Sequence, residues 1–133
     1  MAFWLLKTEP SAYAYTDLER EKRTIWDGVK NNLALKNIRQ MRKGDLAIIY
    51  HTGNEKSMVG IAQVVSDPYP DPEKIDPRLV VVDLKPKRKL ARAIPLGEIK
   101  ADPKLQNFEL VRLPRLSVMS VADNIWRRLT IGE

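Results

Sequence analysis

The apolar pattern begins at once: "FWLLKTEP" sets Phe3, Leu5 and Lys7 on one side of an extended segment and Trp4, Leu6 and Thr8 on the other, closed by Pro10. Apolar residues on both faces predict a strand buried near its start and opening to a polar end. In "YTDLEREK", Thr16 stands three residues before Glu19. At that spacing each side chain bonds the other's free backbone donor, so a short helix is predicted to begin there. "NNLALKNIRQM" then places Ala34, Ile38 and Met41 on one helical face, with Lys36, Arg39 and Arg42 elsewhere. A second helix is predicted from Asn31 or Asn32 to the "RKGD" turn.

From Asp45 the period changes. "DLAIIYH" and "MVGIAQVVS" are β-branched apolar runs separated by "TGNEKS", which predicts a hairpin. "SDPYPDPEKID" holds three prolines and predicts an exposed loop without regular structure. "RLVVVDLKPKRKL" reads as a strand, with Val80 and Val82 opposite Val81 and Asp83. A helical turn in "LGEIKAD", a strand in "FELVRLP" and a last helix in "SVADNIWRRL" follow. That helix is assigned a capping box of Ser120 and Asp123 and a shared face of Val121, Ile125 and Leu129.

Roughly five to six short strands mixed with helices, without regular β-α-β alternation, predict an α+β fold in which a mostly antiparallel sheet curls into a small barrel. The length of 133 residues suits a single domain spanning 1–133. There is no internal repeat.

Charge adds a partner class. Lysine and arginine outnumber aspartate and glutamate by 23 to 17, for a formal net charge of +6. Such a balance favours polyanions, nucleic acid first, through counterion release, although a solvated basic face is an equal reading. The densest cluster, Lys85, Lys87, Arg88 and Lys89 in "KPKRKLAR", is the candidate surface for a phosphate backbone. The absence of cysteine removes disulfides, thiolate metal sites and cysteine nucleophiles, and fits a reducing compartment. "FWLL" is too short for a membrane span or a signal-peptide core. A soluble, cytoplasmic protein without membrane contact, acting as a monomer, is expected.

Catalytic machinery is hard to find. His51 is the only histidine and cannot build a zinc site without cysteine. No G-x-S-x-G elbow, S-x-x-K pattern or glycine-rich phosphate loop occurs. Glu9 and Asp27 would make an acid–base pair only if their loops met, and Lys7 and Lys30 nearby favour local charge pairing instead. The expectation is a non-catalytic protein with no cofactor and no metal.

What remains is Trp26, in "TIWDGVKNN", beside an Asp-Gly turn where a helix is about to start. A tryptophan there is either a plug for a loop or the wall of a binding site. Trp4, within a strand, and Trp126, within an amphipathic helix, read as core.

"FWLLKTEP" at 3–10, "WDGVKN" at 26–31, "MRKGDLAIIYHTG" at 41–53, "VGIAQVV" at 59–65 and "LSVMSV" at 116–121 together resemble the EVE domain family, of the PUA-like superfamily, over nearly the whole chain. The resemblance implies a PUA-like β-barrel with short flanking helices, related to YTH and ASCH domains. It also implies nucleic-acid binding with a modified base held in a pocket, 5-methylcytosine or its oxidised forms in DNA foremost. By motif it places Trp26 as the stacking face, Lys7, Thr8 and Glu9 on one wall, Asp27, Gly28, Val29, Lys30 and Asn31 around the tryptophan, and Tyr50, His51 and Thr52 opposite. Val29 is the candidate neighbour of a base methyl. Binding of a modified base in tRNA or rRNA, or of a free nucleobase or other flat small molecule, would use the same pocket. Turnover of a modified nucleobase is the enzymatic alternative. The chain departs from the family pattern W-D-G-V-R-N, followed by an aromatic residue, at Lys30 and Leu33, and lysine lacks the planar bidentate contact of a guanidinium. Ser120 stands where a proline is usual.

Overall fold

The computed structural model describes residues 1–133. Strand β1 (Phe3–Thr8) lies inside the sheet, paired in parallel with β3 (Leu46–His51) and antiparallel with β7 (Val118–Val121). Burial on both faces follows from that position, and Trp4, Leu5 and Leu6 are all buried. The hairpin of β3 and β4 (Ser57–Val64) passes the sheet on to the sixteen-residue β6 (Val80–Pro95), which carries β2 (Thr24–Trp26) on its far side. The order is β2-β6-β4-β3-β1-β7, with the two-residue β5 (Tyr69–Pro70) pairing onto β6 as well. All pairings but β1 with β3 are antiparallel. Register shifts along β4 and β6 bend the sheet into an open half-barrel whose edges are β2 and β7. This is the PUA-like architecture, with short helices packed around it.

The helices α1 (Tyr15–Glu21) and α2 (Asn32–Gln40) follow β1 and β2. Helix α2 starts as predicted, with the Asn31 side chain accepting the Ala34 amide at 3.0 Å, and buries Ala34, Leu35 and Ile38 against β6 and β7. Helix α1 starts differently from its predicted box. Ala14 is the N-cap, Asp17 accepts the Ala14 amide at 2.8 Å, and the next free donor, the Tyr15 amide, is taken by His51 Nε2 at 3.0 Å.

Three other expectations are corrected. The segment "FELVRLP" is not a strand. After α3 (Leu96–Ala101) and a 3₁₀ turn at Pro103–Leu105, it forms the short helix α4 (Glu109–Arg112), whose neighbours Leu105 and Phe108 and own Leu110 are buried. Ser120 belongs to β7, so α5 (Asp123–Leu129) is capped by Ala122 without a side-chain bond; Asp123 instead favours its positive end from the first turn. The proline loop is not wholly irregular, because Tyr69 and Pro70 pair with Val81 and Val80. Pro70 sits at the margin of the sheet, where a missing donor costs nothing.

Trp4 and Trp126 are core, as expected. Trp4 Nε1 donates to Asp45 Oδ2 at 2.9 Å, and Trp126 stacks on Phe3 at 4.3 Å between centroids. No helix is long and apolar enough to cross a membrane.

Candidate nucleobase-binding site

The largest cleft, about 830 Å³, opens where the polar end of β1 meets β2 and the start of β6. Thr8, Ala12, Tyr13, Trp26, Asp27 and Asp83 line it, with Glu21, Arg23, Thr24 and Ile25. Its back wall is aromatic. The rings of Tyr13 and Trp26 meet edge to face, 6.0 Å between centroids and 83° between planes, giving the cleft two perpendicular apolar surfaces. Trp26 is only 7% exposed and belongs to the core cluster, so one side chain both plugs the fold and lines the cleft. Tyr13 is half-buried and offers the more open face.

Polar groups fix these rings. Thr8 Oγ1 donates to the Tyr13 carbonyl at 2.7 Å, and the Tyr13 hydroxyl donates to Glu21 Oε1 at 2.8 Å. Burial, with Glu21 adding to it, pushes the Tyr13 phenol up to about 12. On the β6 side Arg23 donates to Asp83 Oδ2 from Nε at 3.2 Å and Nη2 at 2.8 Å, and the Tyr69 hydroxyl bonds the other Asp83 oxygen. Desolvation raises the Asp83 carboxyl, but the bonds from Tyr69 and Arg23 outweigh it and leave the group below the usual carboxylate range.

Of the residues singled out in the sequence, Thr8, Trp26 and Asp27 line this cleft. Gly28 turns the chain away with φ +80°, and Val29 packs against the core. Lys30 is exposed. Asn31, the cap of α2, lines a second cleft of about 320 Å³ with Leu33, Arg112 and Arg115. Lys7 points there too: its ammonium, pushed down by burial, donates to the Pro114 carbonyl at 2.8 Å and lies 5.7 Å from the Tyr50 ring centroid. Local pairing of Lys7 with Glu9 is therefore absent. Glu9 accepts the Ser11 amide at 2.6 Å and the Ser11 hydroxyl, which hold its carboxyl low. Tyr50 and His51 are buried, and Thr52 donates its amide to the Thr8 carbonyl at 2.9 Å. Lys85, Lys87, Arg88 and Lys89 are exposed along β6.

Sequence reading missed Tyr13, Glu21, Arg23 and Asp83. Tyr13 lies in the unassigned "SAYAY" between elements, Glu21 meets it from the end of α1, and Arg23 and Asp83 come together only through the pairing of β2 with β6. No three His, Asp or Glu side chains gather as a metal site.

The sequence matches the EVE domain family over residues 2–130. The chain belongs to that family. This EVE domain is 32% identical to chicken thymocyte nuclear protein 1, matched over 90% of the domain and 64% of the chicken protein. Against human thymocyte nuclear protein 1 the figures are 28%, 90% and 68%. The chain thus spans between about half and two thirds of the length of the curated relatives it matches. Among solved structures, a Rhodopseudomonas palustris protein superimposes with a TM-score of 0.91 at 35% identity, covering 98% of the EVE domain and 90% of that chain. The human THYN1 protein, solved in complex with 5-methylcytosine-containing DNA, gives a TM-score of 0.91 at 27% identity and covers 98% and 96%.

Proposed function

We propose that this EVE domain is a non-catalytic nucleic-acid-binding module that captures one modified base, of the 5-methylcytosine type in DNA, in the cleft between Tyr13 and Trp26. The observation that carries the reading is the likeness to human THYN1 bound to methylcytosine-containing DNA, over almost the full length of both chains. The local geometry supports it. Extruding a base costs a few kcal/mol of stacking, recovered when its face meets an aromatic ring and its edge meets hydrogen-bonding groups. The cleft provides both, and Ala12 and the partly exposed Ile25 add apolar surface for a methyl group. The exposed lysines and arginine of β6 serve the phosphate backbone.

Fluorescence anisotropy with short DNA and RNA oligonucleotides bearing a single 5-methylcytosine, beside unmodified controls and at two salt concentrations, tests the reading. The methylated DNA binds most tightly, and Tyr13→Ala removes the preference. A charge-neutralising change at Lys87 or Lys89 weakens all the oligonucleotides together and lowers the salt slope by about one unit. Equal binding of methylated and unmodified strands, undisturbed by Tyr13→Ala, overturns it.

A further inference from the structure

Three carboxylates line the aromatic cleft, and they are not equivalent. Glu21 is tied to the Tyr13 hydroxyl, and Asp83 to Arg23 and Tyr69. Asp27 makes no hydrogen bond and no ion pair within the protein, despite lining the same space immediately beside Trp26. Its neighbour Lys30, close enough in sequence to neutralise it, does not pair with it. A free carboxylate in a site for a polyanion is repelled by phosphate, so its presence argues for a local attraction to something else in the ligand. An ionised carboxylate has acceptors only and can satisfy only donors.

Resting on the base-binding reading above, we infer that Asp27 sets the specificity of the cleft for bases carrying an exocyclic amino group, accepting the 4-amino hydrogen of a cytosine-type base and rejecting its 4-oxo counterpart. Thymine is the sharpest comparison. It carries the same 5-methyl group and the same 2-carbonyl as 5-methylcytosine, but its N3 is protonated and position 4 is an oxygen, which would face the carboxylate oxygen with no proton between them. Asp or Glu opposite the cytosine amino group is a recurrent pairing for the same reason. The aromatic walls, which see only a flat methylated ring, cannot make this distinction.

The test uses single-stranded oligonucleotides identical but for one central 5-methylcytosine, cytosine or thymine, so that no base pair has to be opened. The protein prefers 5-methylcytosine to thymine by on the order of tenfold. Asp27→Asn, whose amide offers a donor as well as an acceptor, brings the two towards parity while thermal unfolding stays unchanged, since Asp27 is exposed and unbonded. Equal binding of the 5-methylcytosine and thymine strands by the unaltered protein, with both above the cytosine strand, overturns the role of Asp27 and leaves a methyl-reading aromatic pocket standing. Persistence of the tenfold preference in Asp27→Asn also overturns it. Binding indifferent to all three bases overturns the base-reading pocket and this inference together.

Discussion

His51 Nε2 accepts the main-chain amide of Tyr15 at 3.0 Å, across 36 positions of sequence. The amide can only donate, so Nε2 carries the lone pair and the proton sits on Nδ1, where it is donated to Glu55 Oε1 at 2.9 Å. The lone histidine is thus the cap of α1 and fixes the helix that follows the first wall of the cleft. His51→Ala leaves a buried donor unsatisfied and costs about 1–3 kcal/mol in chemical denaturation. Nitrogen NMR of the imidazole reports the Nδ1–H tautomer in the folded protein; an Nε2–H tautomer contradicts the assignment.

Gly60, within β4, lies under the ring of Tyr15. A Cβ built there falls 2.4 Å from ring carbons of Tyr15, whose hydroxyl is anchored on the Ile61 carbonyl at 2.7 Å. The ring cannot slide away without losing that bond. Gly60→Ala destabilises the fold by about 1–3 kcal/mol, and combining it with Tyr15→Leu gives less than the sum of the two changes. Strict additivity in urea unfolding would show that the two positions are not in contact.

Tyr13 and Trp26 separate binding from stability. Trp26 is buried, so Trp26→Ala empties part of the core and costs about 3–5 kcal/mol. Tyr13 is half-buried, and Tyr13→Ala costs less in stability while removing a stacking surface worth about 1–3 kcal/mol per base. Melting curves and anisotropy on the same samples distinguish them. A Tyr13→Ala variant with full affinity for methylated DNA removes Tyr13 from the site.

The tyrosines make the protein sensitive to alkali. Burial foremost raises Tyr13, Tyr15 and Tyr69 to about 12, against 10.0 for a free phenol, and raises Tyr50 too. Raised values mean the folded state holds these protons longer. Their stabilisation is complete below pH 10, and it drains away as pH rises from 10 towards 12, where the unfolded chain ionises first. Urea midpoints fall between about pH 9 and about pH 11, and phenolate absorbance appears mainly on unfolding. Full phenolate absorbance near pH 10 in the folded protein contradicts this.

The long elements were legible in the sequence because their patterns agree with their surroundings. Phe3 to Thr8, Leu46 to His51 and the Asn31-capped helix each bury what their periodicity says they bury. Where the deciding partner is remote, local reading failed. The box at Thr16 and Glu19 has the right spacing, but the helix is capped two residues earlier, at Ala14, where Asp17 takes the Ala14 amide and a histidine from another strand takes the Tyr15 amide. Strands β2 and β7 are too short to show a period of two, and they exist because β6 and β1 offer them edges. For the same reason the cleft was half visible: Thr8, Trp26 and Asp27 stand in motifs, while Tyr13 and Asp83 arrive by folding.

Strand β1 draws its two neighbours from unequal distances along the chain. Its pairing with β3 is available once residue 51 has been synthesised, whereas Leu6 waits for Val118 and Phe3 for Val121. Closing so long a loop costs little more entropy than closing a short one, yet it delays completion. On the ribosome, one edge of the apolar segment Trp4–Leu6 therefore stays open until Val118 to Val121 have emerged, an interval in which a nascent chain is exposed to aggregation and to chaperones.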